Sequence, residues 1–227
     1  MDTAIISKDT LNFLNKLKAN NTREWFTEHK KKFKELETNF KSFVTGLKSE
    51  IEIHDEIEKS KVFRIYRDVR FSKDKTPYKS HFAASYARAG AKLRGGYYLH
   101  IKPGGESFIA TGFWEPNKDD LFRIRKELEM DASEFRAVIS DKKFIEIWGN
   151  IVGDELKTAP KGFDKEHKDI DLIRKKQFIF TRKFIDKEVT SKDFQNTVNE
   201  SFKSIRPFFN LMSDILTTNL NGESLLD

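Results

Sequence analysis

A predicted β-hairpin in the middle of the chain most constrains the fold. Tyr97–Lys102 and Ser107–Trp114 both have strand-like patterns, and Pro103-Gly104-Gly105-Glu106 between them has the composition of a hairpin connection. His81–Arg88 and Gln177–Phe184 are two further predicted strands, because small, aromatic and β-prone residues recur along them. Helical patterns flank this region on both sides. The chain is therefore expected to be α+β, with an antiparallel or mixed sheet in the central region packed by N-terminal and C-terminal helices.

The helices are predicted from capping residues followed by apolar residues at helical spacing. Ser7 is expected to cap a helix that ends near Asn20, and Thr22 to cap a long second helix that runs to about Ile53. Three helices are expected after Pro116, and Asn117 is expected to cap the first of them. Near the C-terminus Ser191 caps the last helical stretch, which Pro207 is expected to kink or break.

The composition excludes several classes of protein and site. With 227 residues the chain is long enough for one sizeable core, and a single α+β domain over residues 1–227 is predicted. The 21 Phe favour a core packed by aromatic rings. Because there is no Cys, disulfides, thiolate metal sites and cysteine nucleophiles are excluded. No apolar run reaches the ~20 residues that span a bilayer, and no signal-peptide pattern is present, so a cytoplasmic location without membrane contact is expected.

Positive charge is concentrated in one stretch. Lys61–Lys102 contains eleven Lys or Arg against two Asp, a net charge of +9, whereas the whole chain carries +6. The rest of the chain therefore sums to −3. Like charges this close repel one another unless an anionic ligand or carboxylates from elsewhere in the chain compensate them. Within this stretch Phe63–Phe71 alternates like a half-buried strand, and Arg67 would point inward, where a guanidinium needs a carboxylate or phosphate partner.

Four motifs carry a resemblance to a known family. They are Arg67-Asp-Val-Arg-Phe-Ser-Lys-Asp-Lys-Thr-Pro-Tyr-Lys79, Asn21-Thr-Arg-Glu-Trp-Phe26, Gly112-Phe-Trp-Glu-Pro116, and Pro160-Lys-Gly-Phe163 followed by His167. Together they resemble the uncharacterised family called domain of unknown function 2461, over nearly the whole chain. The resemblance implies one α+β domain and assigns no activity.

Three hypotheses account for the basic stretch. The first is a site for a small anionic ligand that bears a phosphate or carboxylate, and the composition leaves open whether that ligand is turned over. The second is a nucleic-acid binding module that uses the same basic face, with Tyr66, Tyr78, Tyr97 or Tyr98 stacking on bases. The third is a non-catalytic scaffold whose arginines are paired inside the protein. The predicted ligand-binding residues are Arg64, Arg67, Asp68, Arg70, Lys73, Asp74, Lys75, Tyr78 and Lys79.

Two residues are the candidates for proton transfer, should the site be catalytic. His100 lies on the predicted hairpin with Tyr98 and Lys102 on the same side, and neighbouring cations would keep its imidazole neutral. Tyr78 is the second candidate. Catalysis would then rest on electrostatic stabilisation of a developing negative charge. No metal is expected, because no His-x-x-x-His or clustered acidic spacing occurs here, and no cofactor is expected, because no glycine-rich nucleotide fingerprint is present.

Overall fold

The computed structural model describes residues 4–226, which form ten helices and a five-stranded antiparallel open sheet. The predicted α+β class is confirmed. The strands follow one another across the sheet in chain order: β1 (Ile57–Val62), β2 (Phe82–Arg88), β3 (Gly96–Ile101), β4 (Ser107–Phe113) and β5 (Phe178–Phe184). No helix in this part of the chain is both long enough and apolar enough to cross a membrane.

Three helices begin at residues that the sequence predicts as caps, Ser7, Thr22 and Asn117. Ser7 accepts a hydrogen bond from the Thr10 amide at the start of α1 (Lys8–Ala19), and Asn117 accepts two at the start of α4 (Lys118–Met130). The helices are α1 (Lys8–Ala19), α2 (Arg23–Glu28), α3 (Lys30–Ile51), α4 (Lys118–Met130), α5 (Ser133–Ser140), α6 (Lys142–Trp148), α7 (Ile170–Ile173), α8 (Asp186–Val189), α9 (Phe194–Ser204) and α10 (Arg206–Thr217).

Two predicted element boundaries are wrong. The long helix expected from Thr22 to about Ile53 is divided at His29, whose φ of −98° and ψ of 7° end α2 and precede α3. The strand expected over Phe63–Phe71 does not form. Strand β1 lies earlier, at the polar sequence Ile57–Val62, where only Ile57 is fully buried and lysines protect the sheet edge.

The backbone divides into two compact units. The first comprises the described part of Met1–Tyr86 together with Tyr98–Ile109 and Lys183–Glu200. Its core is aromatic: Phe40 stacks on Phe82 with ring centroids 5.1 Å apart. The Tyr86 hydroxyl donates to the Val44 carbonyl at 3.2 Å.

The second unit comprises Ala87–Tyr97, Ala110–Arg182 and the described part of Ser201–Asp227. Phe180 meets Phe208 edge to face at 5.0 Å, and Tyr97 packs on Phe202 at 4.7 Å. Sixteen of the 21 Phe in the chain are buried, which confirms the predicted aromatic core. This division into two units does not test the prediction of a single domain over residues 1–227, which stays a prediction.

Candidate functional site

The basic segment from Arg64 to Lys79 folds back on itself as a loop. Tyr66 and Tyr78 form an isolated antiparallel bridge, the Arg67 amide donates to the Pro77 carbonyl at 2.9 Å, and the Lys79 amide donates to the Ile65 carbonyl at 2.7 Å. A regular strand fails here because the two aspartates capture backbone donors, as when Asp74 accepts from the Thr76 amide at 2.9 Å. Pro77 also has no amide to donate.

Arg67 points into this loop, and of the two partners expected for it, a carboxylate or a phosphate, it has a carboxylate. Its guanidinium donates to Asp74 and to the Thr76 hydroxyl. The pKa of Asp74 is lowered to about 2, chiefly by the hydrogen bond from the Thr76 amide and then by the one from Arg67. Arg67 is therefore already paired with one carboxylate.

Arg70 is paired with Asp68 and lies in solvent. Its Nε donates to Asp68 Oδ1 at 3.0 Å and a terminal nitrogen donates to Oδ2 at 2.7 Å, while 77% of its side chain is exposed. The hydrogen bonds from Arg70 lower the pKa of Asp68. Lys75 donates to the Val69 carbonyl at 2.9 Å. Arg64 and Lys73 are exposed. Five of the predicted residues therefore do not converge on a common hollow: Arg64, Asp68, Arg70, Lys73 and Lys75.

Tyr78 is a packing residue as well as a wall of the site. Its ring stacks on Phe26 with centroids 4.0 Å apart, and only 6% of the residue is exposed. Burial raises the pKa of its hydroxyl. The side chain of Asn21 fixes the Tyr78 backbone, since it donates to the Tyr78 carbonyl at 2.9 Å and accepts from the Tyr78 amide at 3.1 Å.

A cavity of about 350 Å³ opens beside this loop. Four of the predicted site residues line it: Arg67, Asp74, Tyr78 and Lys79. Five further lining residues were not predicted: Lys18, Asn21, Thr76, Ser80 and His81. Lys18 comes from the last turn of α1, too far away in sequence for any local pattern to connect it with the loop.

Lys79 is the least compensated cation of the cavity. Among residues 4–226 no carboxylate lies within 4.0 Å of its amino group, which instead stands 5.7 Å from the centre of the Phe63 ring. Its pKa is lowered by burial first and then by Arg64 and Lys61. Lys18, by contrast, makes an exposed ion pair with Glu106 at 3.6 Å.

Two histidines meet at this site. His81, immediately before β2, lies with its ring centroid 4.1 Å from that of His100 on β3. The His100 ring also stacks on Phe108 at 4.6 Å, and its Nδ1 is hydrogen-bonded to the Tyr98 hydroxyl at 3.1 Å. Sequence reasoning selected His100 and missed His81, although His81 follows Lys79 by two residues on the same basic stretch.

Burial and neighbouring cations keep both imidazoles neutral. Burial, then His100, Lys79 and Lys102, lowers the pKa of His81 to about 3. Burial and Lys102 lower the pKa of His100 to about 4. No group of three or more His, Cys, Asp or Glu residues within the described chain is arranged to hold a metal ion.

The fold is that of an α+β protein, and its cavity is lined by His81 and by residues of the Arg64–Lys79 loop. A family model described as a conserved hypothetical protein, DUF2461, matches residues 9–210, so the chain belongs to that family. A comparison with curated proteins and one with solved structures each find no significant match.

Proposed function

We propose that the cavity beside the Arg64–Lys79 loop binds a small anionic ligand that carries a phosphate or carboxylate group. Lys18, Arg67 and Lys79 contribute three cations to its lining and Asp74 one carboxylate. The observation that carries the proposal is Lys79, which is partly buried and has no carboxylate partner within the described residues. An unpaired ammonium in such a place is stabilised when an anion binds.

The proposed ligand site contains only four of the nine residues predicted from the sequence: Arg67, Asp74, Tyr78 and Lys79. Arg67 and Arg70 each have an aspartate partner, which supports a scaffolding role for these two arginines. Recognition of the anion therefore depends mainly on Lys79, with Lys18, Arg67 and the Thr76 and Ser80 hydroxyls as further donors.

The nucleic-acid hypothesis has less support from the positions of the aromatic rings. Tyr78 and Tyr97 are 6% and 2% exposed, so their faces are not free to stack on bases, whereas Tyr66 is 47% exposed.

A mobility-shift titration with single-stranded oligonucleotides at two salt concentrations separates the two proposals. A backbone binder loses affinity steeply as salt rises, and a small-ligand site produces no shift at low salt.

The ligand proposal is tested by a thermal-shift screen against phosphorylated and carboxylated metabolites at constant ionic strength. A compound that binds the folded state raises the melting temperature. Lys79→Gln should abolish that rise. Lys73→Gln, an exposed lysine of the same loop outside the cavity, is the matched control and should retain it. The proposal fails if no compound stabilises the wild type, or if Lys79→Gln responds like the control.

A further inference from the structure

His81 and His100 give the cavity a chemical property beyond positive charge. We propose that the ligand is a dianionic oxyanion, such as a phosphate monoester, and that it binds together with one proton taken up on His81. This inference rests on the proposed function, because it concerns the same cavity. Beyond the proposed function, this inference specifies the charge of the ligand and assigns His81 as a ligand-binding residue.

His81 is placed to meet a ligand directly. It lines the cavity, and neither of its ring nitrogens has a hydrogen-bond partner within residues 4–226. Its ring packs on His100, which is in turn held by the Tyr98 hydroxyl and by stacking on Phe108. The imidazole of His81 is thus fixed in place by ring contacts, while its nitrogens stay available.

The charged groups around His81 come from four parts of the first unit. Lys18 lies on α1, and Arg67 and Asp74 lie on the basic loop. Lys79 lies just before β2, and Lys102 and Glu106 lie on the β3–β4 hairpin. Both carboxylates in this set already have partners: Asp74 pairs with Arg67, and Glu106 with Lys102 and Lys18. The residues of the cavity therefore present an excess of positive charge to His81, and burial adds to the cost of protonating it.

A bound dianion reverses this balance. Two negative charges beside the ring favour the imidazolium, which then donates a hydrogen bond to an oxygen of the anion. The proton comes from solvent and resides on a ring nitrogen of His81, and no bond of the ligand breaks. A monoanion offsets less of the lysine and arginine charge and provides a weaker pull on the proton. The cavity is therefore expected to select dianions over monoanions.

Sulfate is the probe that isolates this effect, because it stays dianionic near neutral pH and any proton uptake must then occur on the protein. Calorimetric titrations of the whole chain at about pH 6 in two buffers of different ionisation enthalpy measure the protons taken up per sulfate. The wild type should take up a fraction of a proton that rises toward about one as the pH falls. Sulfate affinity should increase by up to about tenfold per pH unit, and nitrate should bind more weakly with little proton uptake.

Two variants separate His81 from the other histidines. His81→Gln should still bind sulfate through the cations but without proton uptake, and its affinity should depend little on pH. His167→Gln, which alters a histidine outside the cavity, should behave as the wild type. As a measurement independent of variants, the NMR titration midpoint of the His81 ring in the wild type should move upward when sulfate is added.

The outcomes distinguish the two levels of the proposal. Sulfate binding with no proton uptake, or with uptake that persists in His81→Gln, overturns the assignment of His81 and leaves the anion cavity standing. Nitrate binding as tightly as sulfate overturns the selection of dianions. The absence of any saturable sulfate binding overturns this inference, and the metabolite screen then decides whether the broader proposal survives.

Discussion

The side chain of Asn21 clamps the backbone of Tyr78, 57 residues away in sequence, with one donated and one accepted hydrogen bond of 2.9 and 3.1 Å. The amide of Asn21 thereby replaces a neighbouring strand, since it offers the Tyr78 backbone the same donor and acceptor pair. This contact joins the turn between α1 and α2 to the basic loop. It also places Lys18 and Lys79 on the walls of one cavity.

Replacement of Asn21 by Ala should destabilise the protein and loosen the cavity. Two part-buried backbone groups would lose their partners, so the free energy of unfolding should fall by about 1–3 kcal/mol. Urea denaturation measures this change. Asn20→Ala is the matched control. Within residues 4–226 its side chain makes only one hydrogen bond, an exposed one to the Lys16 carbonyl, so its loss should cost under about 1 kcal/mol. Equal losses for the two variants would contradict the proposed role of the clamp.

The Asp74 carboxyl should titrate well below an ordinary aspartate. Its pKa is lowered from 3.8 to about 2, so the stabilisation that it provides is complete above pH 3.8 and is lost as the pH falls through about 2. A carbon-detected NMR titration of this carboxyl measures the midpoint. In Arg67→Gln the midpoint should rise but stay below 3.8, because the Thr76 amide is the larger cause of the shift. A midpoint at or above 3.8 in the wild type would show that the loop does not hold this carboxylate.

Gly112 should not tolerate a side chain. Its φ is +120°, and a Cβ built on it would overlap the carbonyl oxygen of Phe178 on β5. Gly112→Ala should therefore lower the free energy of unfolding by about 3 kcal/mol or more. Gly162 also has a positive φ, of +87°, but open space around it, so Gly162→Ala should cost only about 1 kcal/mol. Thermal and urea unfolding of both variants test the difference. Similar losses would show that the backbone of β5 does not approach Gly112 this closely.

Arg136 should matter more to stability than its exposed position suggests. It donates to Asp169 at 2.6 Å and to Asp171 at 2.6 Å, and the side chain of Asp169 is only 6% exposed. Arg136→Ala would leave the Asp169 carboxylate buried without its cation, at a cost of about 2–3 kcal/mol. Asp171→Ala removes only an exposed partner and should cost under about 1 kcal/mol. Urea denaturation provides both values, and the reverse order would contradict this account.

Local sequence patterns predicted most elements for a simple physical reason. Capping at Ser7 and Asn117 depends on a side chain and amides two or three residues away, so neighbouring residues suffice to predict it. The hairpin at Pro103-Gly104-Gly105-Glu106 is equally local. The failure at Phe63–Phe71 has the opposite cause. Its alternation is that of a strand, but the returning residues Pro77–Lys79 and the side chain of Asp68 take its backbone hydrogen bonds.

By itself, the sequence determined the α+β class, the aromatic core and the stretch in which positive charge is concentrated, because composition and short-range periodicity carry that information. Its four motifs also indicated the resemblance to the family whose model matches residues 9–210. Only the tertiary structure decided which charges share a cavity. Arg70 and Lys73 follow Arg67 closely in the chain yet project into solvent, whereas Lys18 and His81 reach the cavity from α1 and from the start of β2. Convergence of this kind depends on how distant segments pack, and no local pattern records it.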